Sequence, residues 1–209
     1  MDKPVCLMMC ERKSVNKDDR KPIAPKPGDR ILDAAKHLFC RDGIHATGID
    51  QILKEAGAAK MTLYNQFGSK EQLVEEVLRR ESEAWRSWFQ AALTAAGKTP
   101  RARLNATFDV LRQWFEREDY LGCAIMNAVA EYPKGDQRIR AIAAEHKAGV
   151  AQILRDVISQ MGCINPEDLL SELFILLDGA IVAALISGDP KMADVAGRLA
   201  RMTIAIHVP

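Results

Sequence analysis

Within residues 60–70 the chain gathers two ammonium groups (Lys60, Lys70), three hydroxyls (Thr62, Tyr64, Ser69) and two amides (Asn65, Gln66), interleaved with the apolar Leu63 and Phe67. Thr62, Tyr64 and Asn65 cannot all share the side that buries Leu63 and Phe67, so polar groups are left facing outwards. Hydroxyls and amides near a helix N-terminus are donors suited to phosphate oxygens and to base edges. Lys60 falls in a first helical turn, where the backbone dipole disfavours a cation unless an anion is close. Ser69 and Gln72 form a capping box, so the helix that follows presents its N-terminus, together with Lys70, as a phosphate clamp. Each residue alone reads equally well as a surface lysine or a polar turn; the set together favours DNA.

The elements around this stretch have the periodicity needed to hold it. From Asp29, a plausible N-cap, Ile31, Ala34, Ala35, Leu38 and Phe39 make one apolar stripe at helical spacing, and Gly43 ends it. A second stripe follows in Ile49, Ile52, Leu53 and Ala56, closed by Gly57. Lys60 to Phe67 is too short to be stable alone and must be anchored on the first two helices by Leu63 and Phe67. Three mutually packed helices with the third on the outside of a tight turn make a helix-turn-helix, the arrangement that enters a major groove.

The run Ala46-Thr47-Gly48-Ile49-Asp50-Gln51-Ile52, followed by Ala56-Gly57-Ala58-Ala59-Lys60-Met61-Thr62-Leu63-Tyr64-Asn65-Gln66-Phe67-Gly68-Ser69-Lys70-Glu71-Gln72-Leu73, resembles the TetR family of transcriptional regulators. The resemblance covers roughly a fifth of the chain closely, and its Thr-Leu-Tyr-x-x-Phe-x-Ser-Lys core is specific. It implies phosphate contacts from Thr47, Thr62, Tyr64 and Lys70, and base-edge contacts from Ala59, Lys60, Met61 and Asn65. Three positions depart from the family pattern. Gly48 stands where a second Ser or Thr is usual, and Gln66 replaces a frequent His. Ala59 replaces the Ser that normally opens the third helix, weakening that cap by roughly 1 kcal/mol.

With 209 residues, 48% of them hydrophobic and 6% aromatic, the chain can build one large core, or a small domain plus a larger one. It has no β-branched alternating runs with hairpin dipeptides, which makes the expected fold all-α. Net charge is +1, and residues 29–70 hold six Lys/Arg against five Asp/Glu, so a DNA contact rests on placed groups and on dimerisation, not on a broad basic field. Residues 1–28 read as a separate flexible basic tail, with seven Lys/Arg against four Asp/Glu and four prolines. Such a tail is either a disordered start or an arm for an adjacent minor groove. The domains expected are therefore the tail at 1–28, the helix-turn-helix at 29–73, and a helical ligand-binding and dimerisation domain at 74–209. No export signal is read and no segment is expected to span a membrane, which places the protein in the cytoplasm with five free thiols. The cysteine spacings match neither a zinc site nor a redox pair, and no cofactor is expected.

In the larger domain, helices are expected at about 70–95, 100–118, 121–131, 136–161, 166–187 and 190–206, three of them opened by an Xaa-Pro start. The 70–95 helix ties the reading head to the second domain, so tilting it would move the head. The 166–187 helix is apolar nearly all round and needs more partners than one protomer provides, so the last two helices read as a homodimer interface. The resemblance implies the same. Cys123, Asn127 and Glu131 recur every four residues on one face of an apolar helix, and they either satisfy one another or meet a ligand. Phe89, Phe108, Trp114, Phe115, Met126 and His146 are candidate lining of that ligand site. Asp178 sits mid-stripe and must be paired, protonated or solvated: an Arg across the dimer, a ligand cation and a solvent groove all remain open.

The reading favoured is a ligand-responsive repressor, released from double-stranded inverted-repeat DNA by a small hydrophobic or aromatic effector. A variant of it makes oxidation of Cys123 the trigger. An enzyme using the pocket is remote: His37, His45, His146 and His207 are scattered, with no metal, nucleophile or phosphate-loop motif, and adjacent Glu145 and His146 point about 100° apart.

Overall fold

The computed structural model describes residues 25–208. The stretch read as a basic tail lies outside them apart from its last four residues, as do Cys6 and Cys10. Among the described residues the chain is helical with no strand, as expected, and runs through α1 (Pro27–Asp42), α2 (Ile49–Ala56), α3 (Lys60–Phe67), α4 (Lys70–Ala96), α5 (Pro100–Asn105), α6 (Thr107–Phe115), α7 (Ala124–Glu131), α8 (Gln137–Ile158), α9 (Pro166–Ser187) and α10 (Met192–His207). The chain divides into two compact units. One takes the described part of Cys10–Ser82 with Ala124–Ala143, the other Glu83–Cys123 with the described part of Ala144–Pro209. This division differs from a boundary after residue 73: α7 and the start of α8 group with the helix-turn-helix, and α4 contributes 70–82 to one unit and 83–96 to the other.

In the N-terminal unit, α1 starts two residues earlier than Asp29. Pro27 takes the first turn, where its missing N–H costs nothing, and Asp29 falls inside that turn, its carboxylate at the positive end of the helix. Ile31, Ala35, Leu38, Ile52, Leu63, Leu73 and Val74 are fully buried, so one core joins α1, α2, α3 and the start of α4. Two ion pairs tie α1 to α4: Lys36 Nζ lies 2.7 Å from Glu81 Oε1, and Arg80 donates to Asp33. The Lys36 side chain is almost wholly buried.

In the C-terminal unit the single helix expected over 100–118 is two. Thr99 caps α5 by accepting from the Ala102 amide at 3.2 Å. The Ala106 amide is then shared among carbonyls of the preceding turn, and Ala106, with ψ near −3°, separates α5 from α6. The α9 and α10 helices pack on each other and on α6. The α10 helix begins at Met192, not at 190, because Asp189 and Pro190 form a turn in which Asp189 Oδ1 accepts from the Lys191 amide at 2.9 Å. The all-round apolarity of α9 is covered on one side only. Leu169, Leu173, Leu177, Ile181 and Ala184 are buried, while Ile175 and Ile186 are 75% and 80% exposed. Ile175, Gly179, Val182 and Ile186 make an exposed stripe at i, i+4, i+7 and i+11; Val195, Leu199, Met202 and Ile206 repeat that spacing on α10. By length and composition α9 could also cross a membrane, although 39% of its most apolar window is buried inside the protein.

Removing one member of a nearly buried ion pair leaves the other charge uncompensated. Lys36→Ala is therefore expected to cost roughly 3 kcal/mol in urea unfolding. Lys36→Met combined with Glu81→Leu should cost far less. Equal losses in the two variants would show that the pair contributes packing and not charge compensation.

Candidate nucleic-acid interface

The α2–α3 turn is built by a left-handed glycine and a distant arginine. Gly57, at φ 57° and ψ 42°, reverses the chain after α2 at no Cβ cost. Arg30, on α1, donates through Nε to the Ala56 carbonyl at 3.0 Å and through Nη2 to the Gly57 carbonyl at 3.2 Å. A cation on the carbonyl end of a helix satisfies both the free acceptors and the dipole. Arg30 was not among the residues read from sequence as functional, because its partners lie 26 and 27 positions away and leave no local signal.

The turn presents α3 outwards. Leu63 is fully buried and Phe67 partly so, while Ala59, Lys60, Met61, Tyr64 and Asn65 are exposed and Thr62 is partly buried. Met61, at 70% exposure, is an apolar side chain on a surface otherwise made of polar groups. Ala59 gives no side-chain cap, and the first turn closes through the Thr62 amide on the Ala59 carbonyl at 2.9 Å. Asp50 Oδ1 stands 3.8 Å from Lys60 Nζ, the anion that a first-turn lysine requires. Both groups are well exposed, so the pair is weak and Lys60 is available to another anion. Ser69 accepts from the Gln72 amide at 3.1 Å, and α4 begins at Lys70 as expected.

Two residues expected on phosphate are engaged inside the protein. Thr47 is fully buried and its hydroxyl donates to the Gly43 carbonyl at 2.7 Å, which removes it from the outward-facing set. Lys70 Nζ donates to the Ile44 carbonyl at 2.7 Å; its remaining two N–H groups are those left for an anion.

The residues read as one ligand site fall into different parts of the chain. Asn127 and Glu131 belong with the N-terminal unit, where they line a small cleft with Phe39, Cys40, Ile44, Val77 and Leu78. At about 20 Å³ it holds about one water, far below the roughly 300–1,000 Å³ of an effector pocket. Glu131 is not free for a ligand: its Oε2 accepts from the Ile44 amide at 2.8 Å and the His45 amide at 3.2 Å. Met126, in the same unit, is partly buried.

In the C-terminal unit Cys123 is buried, and Phe89, Phe108 and Phe115 are core side chains. Phe108 packs toward α10, where a Cβ on Gly197 would lie 3.1 Å from its own Cβ. Trp114 and His146 do belong to one cluster, which also contains Trp85, Trp88 and Tyr120. Trp85 stacks on Phe89 with ring centroids 4.8 Å apart, and its indole N–H is buried without a hydrogen-bond partner. The sequence stripe on α4 contained Trp85 and Trp88 but gave no sign that Trp114 and Tyr120 would meet them. Burial, with the charges of Lys147 and Arg86 nearby, holds His146 down to about 4, so it is neutral at neutral pH. Its folded value lies below the ordinary value of about 6.5. The stability linked to it is therefore present above that value and is lost as pH falls from about 6.5 towards 4. Tyr120 donates to the Ile181 carbonyl at 2.8 Å, and burial raises its pKa strongly. Asp178 pairs with Lys147 of the same chain, whose ammonium also lies 5.4 Å from the Phe174 ring centroid.

Comparison with known proteins agrees with this geometry. Residues 31–77 match bacterial regulatory proteins of the tetR family, and residues 100–200 match the tetracyclin repressor-like C-terminal domain. The HTH-type transcriptional regulator LmrA of Bacillus subtilis is 29% identical over 161 residues, covering 75% of this chain and 85% of that protein. The HTH-type transcriptional regulator QacR of Staphylococcus aureus is 40% identical over 57 residues, 27% of this chain and 30% of QacR. Among solved structures, SCO4454, a TetR-family transcriptional regulator from Streptomyces coelicolor, superposes with a TM-score of 0.80 at 24% identity, covering 88% of this chain and 96% of that one.

Tyr64→Ala combined with Lys70→Ala, with helical signal retained, is expected to weaken binding to all duplex sequences alike. The slope of log affinity against log salt should fall by about 1, from the lost lysine–phosphate contact. An unchanged slope in a folded variant would remove Lys70 from the phosphate-binding set.

Proposed function

This chain belongs to the TetR family of helix-turn-helix transcriptional regulators, and from that premise we propose that it is a dimeric repressor released from an inverted-repeat operator by a small hydrophobic or aromatic effector. The observation that carries the DNA reading is α3 itself, anchored by Leu63 with Lys60, Met61, Tyr64 and Asn65 left outside. On this reading Asn65 bonds an adenine edge, Lys60 a guanine edge, and Met61 packs on a thymine methyl, while Thr62, Tyr64 and Lys70 fix the register on phosphates.

The matched stripes on α9 and α10 support the dimer. Two helices with apolar residues repeating at i, i+4, i+7 and i+11 have the spacing of a four-helix seam, closed by the same two helices of a second copy. We assign the uncovered face of α9 to that copy and not to lipid, and we place the protein in the cytoplasm with its DNA. Two heads about 34–36 Å apart then meet successive major grooves.

For the effector, the cluster of Trp85, Trp88, Trp114 and Tyr120 supports a flat apolar ligand, and the buried Trp85 N–H supports one that carries a hydrogen-bond acceptor. Burial of Cys123 argues against the thiol-oxidation reading, since a sensor thiol needs exposure. The relatives are named as regulators, and an enzymatic reading has no observation in its favour.

Ile186→Glu with Met202→Glu places carboxylates in both stripes. Sedimentation is expected to show a 23.2 kDa monomer of unchanged helicity. Its affinity for an inverted-repeat duplex enriched from a random pool should drop by roughly 10²-fold or more. A variant that stays dimeric, or a monomer that binds as well as the parent, would refute the proposed seam.

A further inference from the structure

Within the 43–48 loop between α1 and α2 the Thr47 hydroxyl donates to the Gly43 carbonyl at 2.7 Å. Gly48, the residue before α2, offers no side-chain cap, and Gly43 sits at φ 90°. The loop is also held from outside, at both the amide and the carbonyl of Ile44. The Glu131 carboxylate at the end of α7 receives the Ile44 and His45 amides on a single oxygen, Oε2, at 2.8 and 3.2 Å. The Lys70 ammonium at the start of α4 donates to the Ile44 carbonyl at 2.7 Å. Next to this, the Tyr132 ring lies 4.8 Å from the His45 ring, centroid to centroid. A Cβ on Gly43 would lie 3.2 Å from Glu131 Oε2, so the glycine permits the approach as well as the turn. Hydrogen bonds to an ionised carboxylate are of the stronger, more directional class.

We infer that Glu131 is a positioning residue for DNA reading, acting through the Ile44–His45 amides to set where α2 begins and, with it, where α3 points. The inference rests on the proposed DNA-reading role of α3. The connection is mechanical: the loop feeds α2 at Ile49, and Arg30 holds the α2–α3 turn to α1, so a shifted loop moves both helices of the reading unit. Contacts to base edges carry the sequence information, whereas contacts to phosphate carry none directly. Loss of the clamp should therefore lower discrimination between sequences more than it lowers general DNA affinity.

The test compares full-length Glu131→Ala and Glu131→Gln with the parent, by hydrogen exchange at the Ile44 and His45 amides without DNA. It also measures binding to a duplex enriched from a random pool and to an unrelated duplex. In Glu131→Ala, exchange at both amides should quicken and affinity for the enriched duplex should fall roughly tenfold or more. Affinity for the unrelated duplex and the salt slope should stay near the parent values, because no phosphate contact is lost. Glu131→Gln keeps an acceptor oxygen and should recover most of the loss. Unchanged exchange, or a lower melting temperature with unchanged discrimination by the folded protein, would overturn the inference. If the parent enriches no duplex, the DNA reading fails and the positioning role fails with it, while the exchange rates still report separately whether the clamp exists.

Discussion

Eight residues are too few for a helix to persist alone in water, so α3 takes its shape from what it is packed against. Fully buried Leu63 joins it to the core of α1, α2 and α4, and Arg30 fixes the turn that leads into it by binding the last carbonyls of α2. The support has a second tier, in which Lys36 with Glu81 and Asp33 with Arg80 hold α1 against α4. Because α3 is supported from one side only, the side chains that cannot fit the core are presented together on the other. Burial of an apolar minority is thus what arranges the polar majority.

The same logic explains what the sequence made legible. The apolar spacing of α1 and α2 and the glycines at 43 and 57 mark the head, because helix period and positive-φ turns are local properties. The ends of α9 follow equally well from Pro166 and Gly188. What the sequence does not show is non-local. The family resemblance implies a phosphate contact from Thr47, while here its side chain is buried and its hydroxyl donates to the Gly43 carbonyl. Glu131 reads as a polar group on an apolar helix that either joins a packing network or meets a ligand, and its partners are backbone amides 86 and 87 positions earlier. Asp178 finds its lysine 31 positions away. Even the split between α5 and α6 has no glycine or proline to announce it, only a shared amide at Ala106.

The C-terminal unit divides its apolar surface between two uses. On α9 and α10 the buried stripes close the protomer, and the exposed stripes repeat one spacing on both helices. Elsewhere aromatic rings converge on Trp85, with a neutral His146 at the edge and one indole N–H left without an acceptor. On the proposed reading the exposed stripes pair two copies, and the aromatic cluster with its unpaired donor switches them. Neither feature requires chemistry at a reacting atom.

The measurement that bears most directly on this account is selection of duplexes from a random DNA pool by the purified protein at physiological salt, followed by sequencing. The account predicts enrichment of an inverted repeat whose half-site centres are one helical turn or a multiple apart, since two α3 helices related by a two-fold axis read the same bases in opposite directions. Enrichment of no sequence by a folded, dimeric protein, or of a motif without two-fold symmetry, would contradict it.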